Sequence, residues 1–352
     1  MTPIECSIVC NSAWAQAVFE PAIKRLPRDL QRTVKISKDA YAVFSVISAG
    51  MDAGSRVVDL TSPLALAGIP IFFITTYYSD FILVPVKARQ SVVQALLARG
   101  FEFSEDESSF KTPAPSMSHH GRGSSQSSIA GDHMPPPPST PPPSSVGELQ
   151  TRTFETLKKR SVVPYIEPGL FLVQCSGREK SSISRAYSDH RLSLNRAQMS
   201  AMTSGNGSGV GYGNGTGGRR QQDCWIDTID TKLYTSIISA LVSQPRFLSV
   251  TLTEDDPPSL LLDKSLLGMF GDSLVGPTEG TLVPIFLDLV NLPFEATGIV
   301  SGVAGRLVRD MHMMESAELS YLSTARAGAV ILSGEQSRRA LEILEPLLVK
   351  SE

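Results

Sequence analysis

Thr297-Gly298-Ile299 opens a helical pattern over Gly298–Met311, and here residue type and position point most directly to ligand chemistry. The first N–H groups of a helix have no intrahelical acceptor, and the helix dipole adds partial positive charge, so such an end favours a carboxylate. Gly298 lets backbone or ligand approach closely. The same residues also fit a plainer reading, with Thr297 an N-cap and Gly298 a packing glycine. A second chemistry sits at Tyr77, Tyr78 and Asp80, at the tip of a hairpin, where exposed aromatics could anchor a protein partner. A solvated turn is the simpler alternative there. There is no P-loop, no GxSxG and no clustered His and acid in the folded parts, so no enzyme is expected. His119, His120 and His133 have no spaced partner. The 4 cysteines, Cys6, Cys10, Cys175 and Cys224, match neither a CxxC metal site nor a disulfide framework. Reduced, mostly buried thiols are expected, with no metal and no cofactor.

The elements that must position these residues begin with Ile69–Val84, IPIFFITTYYSDFILV. Two apolar runs, Ile69–Ile74 and Phe81–Val84, flank the polar reversal Thr75–Asp80 and predict a β-hairpin. The runs are nearly continuous, so both faces of their sheet should be covered. Tyr41–Ala49 reads as a strand, Ser55–Gly68 as a helix ended by Gly68 in a left-handed conformation, and Ser91–Ala98 as a second helix. Pro63 should bend the first helix or leave a carbonyl unpaired. With Gly100–Phe103 as a last strand, the order is β-α-β-β-α-β, a two-layer unit with helices on one face of an antiparallel sheet. Before it, Ile4–Cys10 could be a strand, followed by a helical pattern through Trp14, Val18 and Leu26 that Pro21 should kink or end.

From Ser104 to Val146 the chain is polar and proline-rich, including Pro135–Pro143, and cannot bury enough apolar surface to offset its ordering entropy. The proline run could dock an SH3- or WW-type module or act as a spacer. Thr153–Cys175 recovers order, with a basic helical candidate Phe154–Arg160, then Val162-Val163-Pro164-Tyr165, and a strand-like Leu170–Gln174. Ser176–Gln222 is again low-complexity; eight of the fourteen residues from Gly205 to Gly218 are glycine, the composition of a flexible linker. Arg185-Ala186-Tyr187-Ser188 has the form of a basophilic kinase site. A second folded half starts at Asp223. It reads as strand Cys224–Ile229, helix Leu233–Val242, strands Phe247–Leu252 and Ser259–Leu262, and a short helix Lys264–Phe270. Strand Thr281–Leu289, helix Gly298–Met311, strands Ala317–Ser323 and Ala329–Leu332, and helix Ser337–Lys350 follow.

Internal repetition ties the halves together. At one constant offset Thr75-Thr76 meets Ser323-Thr324, and Phe81–Val84 meets Ala329–Leu332. Each copy follows an apolar helix and precedes an amphipathic one. Units of about 70 residues are marginal alone, so pseudo-symmetric pairing of their sheets is favoured.

The duplicated β-α-β-β-α-β pattern resembles ACT domains, amino-acid-binding modules of metabolic regulation. TTYYSDFILV and Phe294–Gly305 resemble more specifically the cytosolic arginine sensor (CASTOR) family, a tandem of four ACT modules that regulates the target-of-rapamycin pathway. The resemblance covers roughly Ile4–Phe103 and Cys224–Lys350 and implies the modules 1–35 (a remnant of a first), 36–103, 223–280 and 281–352, with 104–222 a mostly disordered linker. It implies an effector between the second and fourth modules. One wall is then Ile69, Pro70 and Ile71, and the other Glu295, Ala296, Thr297, Gly298, Ile299, Thr324, Arg326 and Gly328. It also places Tyr77, Tyr78 and Asp80 on the face that engages a regulatory complex. Several positions depart from the family. Pro70 cannot donate a backbone hydrogen bond. Gly328 and Ala296 stand where acids would meet a guanidinium, and Arg326 would repel a cation. Arginine is therefore disfavoured as the ligand, against a less basic amino acid or none.

The fold expected is α+β: tandem ferredoxin-like βαββαβ ACT modules with paired sheets, helices on one face and a long disordered central linker. The function expected is a non-catalytic amino-acid sensor acting on a protein partner. A ligand-free ACT scaffold and a regulatory chain of an aspartokinase-like enzyme are the alternatives, and a homodimer is a further expectation. A net charge of −3 gives no field for nucleic acid or an anionic membrane. No leader pattern opens the chain and no apolar run approaches the ~18–20 residues of a span, so a cytoplasmic protein without membrane insertion is the default.

Overall fold

The computed structural model describes residues 1–46, 53–103, 143–178, 230–253, 256–293, 296–312 and 319–349. The expected strand Cys224–Ile229, the histidines 119, 120 and 133, the site Arg185–Ser188, the glycine-rich run and Glu295 lie outside the described residues.

The strands are β1 Tyr41–Val46, β2 Phe72–Thr75, β3 Asp80–Pro85, β4 Pro164–Ile166, β5 Leu172–Gly177, β6 Leu248–Thr251, β7 Ser259–Asp263, β8 Leu274–Val275, β9 Leu282–Asp288, β10 Ser320–Ser323 and β11 Ala327–Ser333. The main helices are α1 Ala53–Leu66, α2 Arg89–Leu97, α3 Val146–Lys159, α4 Thr231–Val242, α5 Leu267–Phe270, α6 Ile299–Asp310 and α7 Gly334–Leu348. All strands join one curled eleven-stranded sheet in the order β1-β3-β2-β10-β11-β9-β5-β7-β6, with β4 beside β9 and β8 beside β5. Every pairing is antiparallel.

Three units share this sheet. Unit A is β1-α1-β2-β3-α2 and unit B is β9-α6-β10-β11-α7. Unit C is β5-α4-β6-β7-α5-β8, with strand order β8-β5-β7-β6. Side chains alternate across each strand. On the helix-covered face Phe73, Ile82, Ile285, Tyr321 and Val330 join one core with α1, α3, α6 and α7. On the other face Leu172, Leu261, Phe286, Leu322 and Ile331 form a second core inside the curl, to which Ile4 adds its side chain. The hairpin is thus covered on both faces, as its continuous apolar runs require.

Two connections differ from the sequence reading. The first strand of unit C is β5, which precedes the insert, so residues 179–229 leave from the middle of a unit and not between units. The strand beside β9 is β4, which lies more than a hundred residues earlier in the chain. Smaller differences have local causes. Gly100–Phe103 is not a strand, although Phe103 packs edge-on against Phe44 of β1. Ile4–Cys10 is not a strand either. The N-terminal helix survives Pro21 by widening: a π turn, Ala15–Phe19, precedes the α turn Glu20–Lys24, which carries Pro21 at its start, where no N–H is needed. Helix α1 runs on through Pro63 and ends as expected at Gly68, φ +69°; Gly68 N–H donates to Ala65 O and Ile69 N–H to Leu64 O. Cys175 is buried, but Cys6 and Cys10 are exposed, because the chain leaves the core after Ile4 and is exposed throughout 6–10.

Candidate functional site

Units A and B meet across a pseudo-dyad. Ile74 of β2 pairs with Leu322 of β10, and these two residues are equivalent positions in the sequence repeat, so the axis passes between them. Both hairpins end in the same turn. Thr76 N–H and Oγ1 donate to Ser79 O, and Thr324 N–H and Oγ1 donate to Ala327 O. Above the sheet α1 and α6 pack together, with the Ser62 and Ser301 hydroxyls 2.9 Å apart in a buried contact. Tyr321 N–H donates to Thr75 Oγ1 at 3.0 Å, which adds a polar stitch across the dyad.

The N-terminus of α6 lies at the end of the sheet where β9 leaves and β11 enters. Its N-cap is Gly298, φ +80°, not Thr297, and no side chain caps it; no acid occupies its first turn. The unpaired N–H groups that suit a carboxylate are therefore present. Helix α3 packs close by. A Cβ on Gly298 would lie 2.6 Å from Leu149 Cδ1, and Thr153 Oγ1 donates to Gly298 O at 3.3 Å. Ala296, Thr297 and Ile299 are half-buried around this end.

At the entry to β2, Ile69 is buried and its N–H is used in the turn that ends α1, while Pro70 has no N–H. A backbone contact at this entry falls to Ile71. Thr324 holds its own turn, and Arg326 is exposed, with its N–H donating to Glu5 Oε1 at 2.7 Å. Gly328 is buried; a Cβ there would lie 2.7 Å from the Tyr321 hydroxyl, so glycine makes room for that tyrosine. The sequence-expected residues are thus spread over the two sides of one dyad interface, and Glu295 lies outside the described residues.

The tip of the unit A hairpin is bonded to unit C, while Tyr78 remains 45% exposed. Tyr77 N–H donates to Ser259 Oγ at 2.7 Å, Tyr78 Oη bonds Ser176 Oγ at 2.9 Å, and Ser79 Oγ bonds Asp256 Oδ2 at 3.2 Å. The Tyr77 ring fills the space over Gly276. Gln174 of β5 donates to Thr76 O and accepts from Ser320 Oγ, so one side chain of unit C holds both A and B. Curling of the sheet brings unit C under this tip. Asp80, read in the sequence as part of the exposed tip, is wholly buried and paired with Arg56 of α1. Burial raises its pKa, and the Arg56 charge offsets only part of that shift.

Sequence reading missed Arg56, Gln174, Ser176, Ser259 and Tyr321, and also the contribution of α3. For α3 a signal existed: Ser145-x-x-Glu148 is a capping box, with Ser145 Oγ accepting from Glu148 N–H. For the others no local pattern exists, because their partners lie in other units.

The ACT domain family model matches residues 36–98, which span β1 to the end of α2, so unit A carries an ACT domain. No curated protein matches the chain. Among solved structures the aspartate kinase from Synechocystis is similar at 9% identity and a TM-score of 0.28, over 89% of this chain and 41% of that one. This chain therefore spans about two-fifths of that kinase chain, and a TM-score of this size does not establish a shared fold. Among the described residues no helix is long and apolar enough to cross a membrane, and no group of three or more His, Cys, Asp or Glu could hold a metal ion.

Proposed function

We propose that this chain is a non-catalytic regulatory protein that binds an amino acid where its ACT domain meets unit B, and relays binding to a protein partner in nutrient (target-of-rapamycin) signalling. The observation that carries the reading is the dyad itself: an ACT domain pairs, residue on equivalent residue, with a second unit of the same topology. The uncapped α6 N-terminus beside that interface supplies donors for a ligand carboxylate. Arginine remains a poor candidate, since Gly328 offers no carboxylate for a guanidinium. Relay would run through the unit A hairpin, whose base lies at the dyad and whose tip is docked on unit C.

One observation favours a second reading, a ligand-free ACT scaffold. Leu149 and Thr153 of α3 already crowd Gly298, as a purely structural packing would require. A thermal-shift screen with the twenty amino acids separates the two. A ligand that binds only the folded chain stabilises it by about 2.7 kcal/mol at 100 times its dissociation constant. A shift with one amino acid or one chemical class supports the sensor; a flat response to all twenty leaves the scaffold.

A further inference from the structure

We propose that the Tyr321 hydroxyl reads the side chain of the bound amino acid, and that the ligand has an uncharged side chain carrying a hydrogen-bond acceptor, an amide or a hydroxyl. This rests on the amino-acid-binding reading above and narrows it.

Tyr321 is 1% exposed, and among the described residues its hydroxyl has no hydrogen-bond partner. A buried phenol without a partner costs free energy, and buried phenols normally find one. The hydroxyl lies against Gly328 with Leu289 close by. Leu289 is the first residue of the connection from β9 to α6, so the hydroxyl sits at the sheet end that carries the uncapped α6 N-terminus. Two independent features therefore converge: donors suited to a carboxylate, and an isolated buried donor at the same end. Burial raises the pKa of the phenol, so it remains a neutral O–H that donates.

The pseudo-dyad supplies an internal control. The repeat equivalents of Tyr321 and Gly328 are Phe73 and Asp80. In unit A, Phe73 fills the tyrosine's place, and Asp80 is neutralised by Arg56. Aligned on their matching C-terminal turns at Gly68 and His312, the helices place Val300 opposite Arg56, and neither charge of the pair is present in unit B. At these two positions, among the described residues, a desolvated cation meets no carboxylate and a desolvated anion no guanidinium. A neutral acceptor is the group this place accommodates.

The test is isothermal titration calorimetry of wild type and Tyr321→Phe with L-glutamine, L-asparagine, L-serine, L-leucine, L-arginine and L-lysine, with a thermal melt of each ligand-free protein. Phe73 shows that phenylalanine fits the equivalent position, so the variant should fold. Its ligand-free Tm should rise by a few degrees, as an unpaired buried hydroxyl is removed. Wild type should bind an amide or hydroxyl amino acid, and the variant should lose at least about tenfold of that affinity while leucine is unaffected. Equal affinity in the two proteins, or preference of the wild type for arginine or lysine, overturns this inference and leaves the sensor reading intact. If wild type binds none of the six and no other amino acid shifts its melt, the sensor reading fails and this inference with it.

Discussion

At the scale of single residues the most consequential pair is Arg56 and Asp80. A carboxylate with no exposed surface must be hydrogen-bonded or paired, and Arg56 at the start of α1 is the group that meets it. Arg56→Met leaves the charge buried alone and should destabilise the fold by about 3–5 kcal/mol in urea unfolding. Arg56→Met combined with Asp80→Leu should recover most of that loss, since replacing a whole buried pair by apolar groups is often neutral. If the double variant is as unstable as the single one, the pair is not the cause. A pH dependence follows with a definite sign. The folded chain holds the Asp80 proton above the ordinary carboxylate value of 3.8, so in that window it binds more protons than the unfolded chain. Stability should therefore fall as pH rises from about 3.8 through the raised value, and Asp80→Asn should flatten that limb of the curve. Asp80 was visible in the sequence, but its burial was not, because its position in a polar turn looks solvated until α1 is laid over it.

At the scale of elements the strands and helices follow the hydrophobic periods closely, while their ends follow local chemistry. The repeat in the two hairpins becomes the same hydroxyl-closed turn in both, which is why the pattern survives where identity is weak. The sequence reading starts helix α3 only at Phe154, because the buried face before it is partly polar: Gln150 and Thr153 are buried there beside Leu149. Its contact with α6 can be tested at Gly298. Gly298→Ala puts a Cβ into a φ of +80° and into Leu149, and should cost about 2–3 kcal/mol. Gly268→Ala in α5, where a Cβ meets nothing within 4 Å, should change stability by less than about 1 kcal/mol and serves as the control. Equal losses in both would mean that α3 does not press on Gly298.

At the scale of the whole molecule the units interlock. Unit B borrows β4, and unit C takes β5 from before the insert. A fragment starting at residue 223, the boundary that composition suggests, lacks both strands and α3. It should show no cooperative unfolding by circular dichroism, whereas a fragment starting at residue 143 retains β4, β5 and α3. Cooperative melting of the shorter piece would overturn this account of the topology. The same interlocking explains the hairpin tip: Tyr77, Tyr78 and Ser79 find their partners in Ser259, Ser176 and Asp256 of the curled sheet.

The sequence by itself determined the class and order of elements, the duplicated hairpin and the ACT-like unit, because periodicity and turn chemistry are local and survive in one dimension. It also carried the helix start at Gly298 and the absence of acids at Ala296 and Gly328. Only the tertiary structure decided which strands share a unit, that the tip is bonded within the chain, that Asp80 is buried on Arg56 and that the Tyr321 hydroxyl has no partner among the described residues. The physical reason is sequence separation: each of these depends on groups from distant segments that a folded sheet brings into contact, and no local pattern records the pairing.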